Sequence, residues 1–246
     1  MSKKLSWRFE YKYRISRVTA ETLEKVLCRA GFAPDPYARE QGYPVSSVYF
    51  DSPGLDDYFD KAGGFSKRKK IRARIYSDWQ SKNTETVKLE IKWRKDLRIA
   101  KEHAHISAAE WELVRQGRYR EFLSLPRKSA EEASVLKGII GQLIRDSMRP
   151  LILVRYARHP LILNRQETVR VNFDYELNTC QKSDFWYTPF VMPVLPREEV
   201  IFEMKFNSII PPFLSDIVSG FNLTRASFSK YLESVNSVKR FNPISR

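Results

Sequence analysis

The sequence repeatedly alternates apolar with charged residues, so several strand-like segments carry one basic face and one apolar face. The run Val87-Lys88-Leu89-Glu90-Ile91-Lys92-Trp93 is the plainest example. Because side chains alternate across a strand, Lys88, Glu90 and Lys92 share one face and the apolar residues share the other. The same alternation recurs at residues 7–14, 71–75, 169–174 and 202–206. The chain is therefore predicted to build a sheet with charge concentrated on one side.

Eight strands and six helices are predicted along the chain. The strands are residues 7–15, 45–51, 69–76, 86–93, 98–106, 150–158, 168–177 and 200–206. The helices are residues 20–30, 55–61, 108–115, 130–148, 211–219 and 227–235, with Thr19 predicted to cap the first and Ser107 the third. Short connections and helices grouped apart from strands favour an antiparallel α+β fold. No repeat or linker divides the sequence, which predicts one domain over residues 1–246.

The excess of positive charge fits a polyanionic partner. The chain has 43 Lys and Arg against 29 Asp and Glu, a formal net charge of +14. One such strand face would ordinarily be solvent-exposed sheet, but like charges on several neighbouring strands repel one another. A sheet that curls would enclose these faces in a cavity of low dielectric, where each charge acts more strongly. The pattern favours a compact polyphosphate held in a tunnel, and no nucleic acid is expected.

Three Glu-x-Lys pairs stand on different predicted strands. They are Glu10/Lys12, Glu90/Lys92 and Glu203/Lys205. A triphosphate normally brings a divalent metal, which carboxylate and phosphate oxygens coordinate together. A salt bridge within the pair is the alternative interpretation. The pairs are thus candidates both for metal binding and for charge balance.

The order of several short motifs resembles that of the VTC domain, the polyphosphate polymerase domain of the triphosphate tunnel (CYTH-like) superfamily. The motifs are Phe9-Glu10-Tyr11-Lys12-Tyr13, Ser47-Val48-Tyr49-Phe50-Asp51-Ser52-Pro53-Gly54-Leu55-Asp56, Ile71-Arg72-Ala73-Arg74-Ile75-Tyr76, Leu89-Glu90-Ile91-Lys92, Tyr156-Ala157-Arg158, Val169-Arg170-Val171-Asn172-Phe173-Asp174, Phe202-Glu203-Met204-Lys205 and Ser227-Phe228-Ser229-Lys230-Tyr231. The resemblance implies an antiparallel eight-stranded β-barrel tunnel with flanking helices. It also implies transfer of the ATP γ-phosphate to a polyphosphate chain with a divalent metal, Mn²⁺ or Mg²⁺.

The resemblance also implies roles for individual residues. The residues expected to grip the triphosphate are Lys12, Arg72, Arg74, Lys92, Arg158 and Arg170, with Lys101 added. Glu203 matches the metal-binding glutamate, and Ser229 with Lys230 matches a Ser-Lys pair that closes over the phosphates. Glu10, Lys88, Glu90 and Lys205 share the basic faces and join the predicted binding set. Arg158 breaks simple alternation, which predicts a β-bulge near Tyr156-Ala157.

Three functions remain open from the sequence. They are an ATP-dependent polyphosphate polymerase, a tunnel-type triphosphatase, and a binding module without catalysis. Arg8 stands where the superfamily has a first glutamate, and this favours the polymerase. His103 and His105 are a weaker candidate metal pair. The basic run at residues 67–70 resembles a nucleic-acid patch but is interpreted as a solvated loop end, which could also steer polyphosphate towards a tunnel mouth. The two cysteines show no paired spacing and the amino-terminal segment is charged, which predicts a cytoplasmic protein without a signal peptide. A membrane partner and the oligomeric state stay open.

Overall fold

The structure is a computed structural model that describes residues 5–36, 38, 42–77, 86–164, 168–186 and 191–241. The strands are β1 (Arg8–Ser16), β2 (Ala33–Pro34), β3 (Tyr43–Asp51), β4 (Lys67–Ile75), β5 (Thr86–Lys95), β6 (Arg98–Ser107), β7 (Arg149–Asn164), β8 (Thr168–Cys180), β9 (Met192–Pro193) and β10 (Glu199–Phe206). The helices are α1 (Arg17–Arg29), α2 (Asp56–Ala62), α3 (Ala108–Arg115), α4 (Tyr119–Ser124), α5 (Ala130–Arg145), α6 (Pro212–Gly220) and α7 (Lys230–Phe241).

Eight of the strands close into a ring. Their order is β7-β3-β4-β5-β6-β1-β10-β8, and β8 pairs again with β7. Every neighbouring pair in the ring is antiparallel. The predicted eight-stranded tunnel with flanking helices is confirmed. The two remaining short strands, β2 and β9, pair with β7 and β8 outside the ring.

The ring is closed least extensively between β1 and β6. These strands are paired only through Arg8 with Ile99 and Phe9 with Arg98 in the described chain. On its other side β1 pairs with β10 over eight residues, from Phe9 to Ser16. The β1–β6 pairing is therefore a short seam in an otherwise well-paired ring.

Helices cover the apolar outer faces of the strands. On one side α3, α4 and α5 place Trp111, Phe122 and Leu136 against β4, β5 and β6. On the other side α1 and α6 pack Leu23 and Leu214 against β1, β8 and β10. Burial of these faces stabilises the fold by roughly 25 cal/mol per Å² of apolar area. The charged faces of the same strands consequently turn inward.

The last helix packs differently from the others. Tyr231 and Val235 of α7 contact a separate apolar cluster that includes Tyr49, Tyr156 and Ile201. Tyr231 also donates a hydrogen bond from its hydroxyl to Asp51 Oδ2. Tyr49 and Tyr156 also line the central cavity, so α7 packs against residues of the cavity wall.

Local chemistry explains where the predicted boundaries hold and where they are wrong. Ser107 caps α3 in a capping box with Glu110, as predicted. The first helix begins at Arg17 because Ser16 Oγ accepts the backbone N–H of Thr19, so Thr19 is not the cap. Helix α4 was not predicted. No helix in the described part of the chain is long and apolar enough to cross a membrane.

The β-bulge predicted near Tyr156-Ala157 is confirmed. The pairing of β7 with β8 shifts register between Arg155 and Ala157. Tyr156 and Arg158 both line the central cavity. Tyr156 therefore belongs both to the apolar cluster that α7 covers and to the cavity wall.

Candidate functional site

The ring encloses a strongly basic cavity of about 810 Å³, including the open space at its mouth. Thirteen of its twenty lining residues are Lys or Arg: Lys12, Lys61, Arg68, Lys69, Lys70, Arg72, Arg74, Lys92, Arg94, Lys101, Arg158, Lys205 and Lys230. Glu10 and Glu203 are the acidic residues among them. Such a lining suits a ligand that carries several negative charges close together.

Arg72 and Arg74 are buried side by side on β4 and are held in place by polar partners. Arg72 donates to Tyr49 Oη at 3.0 Å and pairs with Glu90. Arg74 donates from Nε to Ser47 Oγ at 2.9 Å and from Nη2 to Tyr156 Oη at 3.2 Å. The two guanidinium groups are thus oriented before any ligand binds, which reduces the entropy lost on binding.

The same arginines change the acidity of Tyr49. Burial alone would raise the pKa of its hydroxyl, but Arg72 and Arg74 lower the pKa to about 8. The tyrosine oxygen therefore lies in a field that favours negative charge. An anionic ligand oxygen entering this part of the cavity meets the same field.

Glu203 lies at the centre of four cations. Its Oε1 is 2.8 Å from Lys230 Nζ and 3.2 Å from Lys12 Nζ. Its Oε2 is 3.3 Å from both Lys205 Nζ and Arg158 Nη2. Burial raises the pKa of this carboxyl group, but the surrounding cations more than reverse the effect and hold it well below the usual value. Glu203 is therefore a carboxylate throughout the neutral pH range.

Glu10 occupies a matching position on the neighbouring strand. Its Oε1 accepts from Lys92 Nζ at 2.7 Å and lies 3.5 Å from Lys12 Nζ. Lys12 consequently bridges Glu10 and Glu203. Burial raises the pKa of Glu10, but Lys92 and Lys12 lower it by more, so that the pKa lies well below the usual value. Both carboxylates reduce the repulsion among the lining cations.

Several lining lysines are poorly compensated. Burial lowers the pKa of Lys205 to about 7, despite the attraction of Glu203. Burial also holds the pKa of Lys101 well below its usual value, although Glu90 lies 3.4 Å away. A bound polyanion would stabilise the protonated form of both lysines. The cavity is therefore suited to gain favourable charge interactions when such a ligand arrives.

Asp174 is a site residue that the sequence interpretation left out. It is fully buried, accepts two hydrogen bonds from Arg158, and has its Oδ2 2.5 Å from Lys230 Nζ. The charged row of residues 169–174 gave the signal, because Asp174 follows Arg170 and Asn172 on the same predicted face. Asp174 holds two of the predicted site residues, Arg158 and Lys230, in place.

Most of the predicted residues meet in the cavity. Those that line it are Glu10, Lys12, Arg72, Arg74, Lys92, Lys101, Arg158, Glu203, Lys205, Ser229 and Lys230. Glu90 is buried and is not among the lining residues, but it pairs with Arg72 and Lys101, which are. Lys88 lies outside the lining, opposite Arg74 and His105 on the neighbouring strands.

Arg170 is not brought to the cavity. Its side chain is 46% exposed, and its Nη2 lies 3.3 Å from Asp35 Oδ2. It stands near the beginning of β8, opposite Ile162 of β7 and Lys205 of β10. Because Arg170 lies at this end of β8, alternation predicted the correct face of the strand but not how deep the side chain lies in the tunnel.

Five lining cations were missed: Lys61, Arg68, Lys69, Lys70 and Arg94. The run at residues 67–70 was interpreted as a loop end, but it forms the first half of β4. Arg94 lies opposite Arg68 on β5. The density of positive charge in the run was the signal, and it marks the mouth of the cavity rather than an ordinary solvated turn.

The carboxylates are suited to a metal that arrives with phosphate. Carboxylate oxygens of Glu203 and Glu10 are ligands that Mg²⁺ and Mn²⁺ prefer. No group of three or more metal-ligating side chains exists among the described residues, however. His103 and His105 are neighbours on β6, with ring centroids 5.6 Å apart, and burial lowers the pKa of His103 to about 4. Phosphate oxygens would therefore have to complete the coordination of a metal on Glu203 and Glu10.

A closed eight-stranded ring around a basic cavity is the architecture expected of the triphosphate tunnel superfamily. More particularly, the chain belongs to the VTC domain family, whose family model matches residues 7–239. The predicted resemblance is confirmed by this match. No curated protein matches the chain in sequence.

Two of the solved structures that are similar to this chain come from bacteria. One from Bacillus halodurans, described provisionally as an adenylate cyclase, is 11% identical with a TM-score of 0.53, covering 96% of this chain and 98% of that one. Another from Vibrio parahaemolyticus with the same provisional description is 11% identical with a TM-score of 0.46, covering 95% and 99% of the two chains. The Bacillus structure supports the fold.

Proposed function

We propose that this chain is an ATP-dependent polyphosphate polymerase, which transfers the γ-phosphate of ATP to the end of a polyphosphate chain. The observation that carries the proposal is the cavity lining, in which thirteen Lys and Arg side chains and two carboxylates lie inside a closed ring. A linear chain of phosphates can meet cations on all sides in such a space. Membership of the VTC domain family supports the same substrate class.

The state of the carboxylates favours transfer over hydrolysis. A hydrolase gains from a general base that accepts a proton from water, and such a base works best with a pKa near the operating pH. Ion pairs hold the pKa values of Glu10 and Glu203 well below their usual values. A terminal phosphate is already anionic and needs no such base. The site therefore suits a phosphate acceptor better than water.

In the proposed reaction an oxygen of the terminal phosphate of the polyphosphate bonds to the γ-phosphorus of ATP. The bond between the γ-phosphorus and the β–γ bridging oxygen breaks. ADP leaves with that electron pair, and the polyphosphate becomes one phosphate longer. Phosphoryl transfer requires alignment and charge stabilisation more than covalent help. Arg72 and Arg74 are oriented for the donor phosphates, while Lys230 and Arg158 flank Glu203 on the opposite wall.

The proposal includes a divalent metal at Glu203. Glu10 would be the second carboxylate at this metal, because Lys12 forms ion pairs with both glutamates. Such a metal, when bound, offsets charge on the phosphate oxygens. The lysines now paired with these carboxylates would turn to the phosphates instead. The cytoplasm is proposed as the compartment, and residues 1–246 as a single domain.

Incubation of the purified protein with ATP and Mn²⁺, followed by ³¹P NMR, tests the function directly. A signal from chain-internal phosphates that grows with ADP supports the polymerase. Orthophosphate as the sole product would instead identify a triphosphatase. Unchanged ATP, with tripolyphosphate still bound in calorimetry, would identify a binding module without catalysis.

A further inference from the structure

Three large apolar side chains are exposed on adjacent turns near the cavity mouth. Phe59 is 56% exposed, Phe65 is 61% exposed and Leu97 is 42% exposed. Phe59 lies on α2, Phe65 in the turn after it, and Leu97 in the turn between β5 and β6. We refer to these three residues and the basic residues around them as the mouth patch.

Backbone contacts hold the turns of the mouth patch together. The N–H of Phe65 donates to Asp60 O at 3.1 Å, which ties the turn to α2. The N–H of Asp96 donates to Ser66 O at 2.9 Å, which ties the β5–β6 turn to the residue after Phe65. The apolar side chains are therefore presented by two connected turns rather than scattered over the surface.

Basic side chains surround these apolar tips. Lys67 lies directly opposite Lys95, and Lys95 lies directly opposite Arg98. All three are exposed. The acids on the same segments that are not buried are Asp56, Asp60 and Asp96, against the basic Lys61, Lys67, Lys95 and Arg98, so the patch remains positive. Like charges opposite one another destabilise a sheet, and an external anionic surface would offset that cost.

We propose that the mouth patch docks this protein on the surface of an anionic lipid bilayer. Exposed apolar tips among Lys and Arg fit the boundary between headgroups and acyl chains, where apolar groups insert and cations remain with the headgroups. A protein partner is a poorer match, because Lys is depleted in protein interfaces. A polyphosphate chain is also a poorer match, because it has no apolar groups that could contact Phe59, Phe65 and Leu97.

Docking through this patch would orient the cavity mouth towards the bilayer. Arg68 and Arg94 line the cavity, and they are the immediate neighbours of Lys67 and Lys95 on β4 and β5. Arg68 also donates to the carbonyl oxygen of Phe65. The apolar tips and the cavity mouth are thus parts of one continuous surface.

Co-sedimentation with phosphatidylcholine vesicles, with and without phosphatidylglycerol, tests the proposal. The protein is expected to sediment with the anionic vesicles and to be released by high salt. The variants Phe59→Ser/Phe65→Ser/Leu97→Ser and Lys67→Glu/Lys95→Glu should each weaken that binding about tenfold. Ile144→Ser and Lys137→Glu, exposed changes on α5, are the matched controls and should sediment as the unaltered protein does.

Arg74→Ala separates docking from the cavity. This variant should retain vesicle binding, because Arg74 is buried away from the mouth patch. Equal binding to neutral and anionic vesicles, or full binding by both patch variants, would overturn the proposal. So would patch variants that lose affinity for long-chain polyphosphate but still bind vesicles, since the patch would then be a track for the polymer.

Discussion

Arg158 donates two parallel hydrogen bonds to Asp174, from Nε to Oδ1 at 2.7 Å and from Nη2 to Oδ2 at 2.8 Å. Both side chains are buried, and Lys230 adds a further ion pair to the same aspartate. This fork-to-fork geometry fixes the plane of the guanidinium group. One wall of the cavity is therefore rigid before any phosphate binds.

Asp174→Asn is expected to lower the free energy of unfolding by about 3–5 kcal/mol, because it leaves Arg158 and Lys230 as poorly compensated buried charges. Tripolyphosphate should restore part of that loss by supplying negative charge to the folded state. Denaturant unfolding with and without tripolyphosphate measures both effects. Asp216→Asn, an exposed change on α6, is the control. Equal stability of Asp174→Asn and the unaltered protein would contradict the assigned role.

Arg74→Ala and Lys92→Ala should each weaken tripolyphosphate binding roughly 10- to 100-fold, because each removes a charged hydrogen-bond donor from the cavity. Isothermal titration calorimetry gives the affinities, and circular dichroism checks that the fold is retained. Arg29→Ala removes an exposed arginine from α1 and should bind normally. Affinities unchanged by both cavity substitutions would place the ligand elsewhere.

Lys205 should make triphosphate binding dependent on pH. Its pKa of about 7 means that it loses its charge as the pH rises through neutrality. A bound anion favours the protonated lysine, so affinity should fall above pH 7 by up to about tenfold per pH unit. Lys205→Met should bind more weakly at acidic pH and lack this contribution.

The role of Lys205 is tested by comparing the tripolyphosphate affinities of the unaltered protein and Lys205→Met at each pH. Tripolyphosphate itself loses protons in the same range, and this affects both proteins equally. The ratio of their affinities should therefore shrink as the pH rises. A ratio that stays constant with pH would show that Lys205 does not titrate in the free cavity.

Glu203→Gln should separate metal binding from phosphate binding. In the presence of EDTA, removal of a negative charge from the basic cavity is expected to tighten tripolyphosphate binding several-fold. Turnover of ATP with Mn²⁺ should be lost in the same variant, because the proposed metal ligand is gone. Glu112→Gln on α3 is the control and should change neither quantity. Full Mn²⁺-dependent turnover in Glu203→Gln would exclude this carboxylate as the metal ligand.

The sequence predicts the ring well because period-two alternation is a strong signal. The rows that contain Glu10, Lys92 and Glu203 could be assigned to one face without coordinates, and they do line the cavity. Alternation also gives the inward direction of Arg72 and Arg74. The chemistry of the tunnel was therefore largely readable from single strands.

What alternation could not give is position along a strand or across a bulge. Arg170 has the correct face but pairs with Asp35 near the strand end. The bulge between Arg155 and Ala157 changes the register of one strand pair, so the place of Tyr156 depends on tertiary contacts. Ser16 and Thr19 are both good capping residues, and only the structure shows that Ser16 Oγ accepts the backbone N–H of Thr19.

The short seam between β1 and β6 has a consequence for the motions of the ring. In the described part of the chain two residue pairs join these strands, so separating them breaks fewer hydrogen bonds than separating well-paired neighbours such as β1 and β10. Local opening draws on the least stable contacts first. In hydrogen–deuterium exchange, the backbone amides of β1 and β6 that bond across this seam should therefore exchange earlier than those of Leu89 and Ile91, and the ring should open locally at this seam.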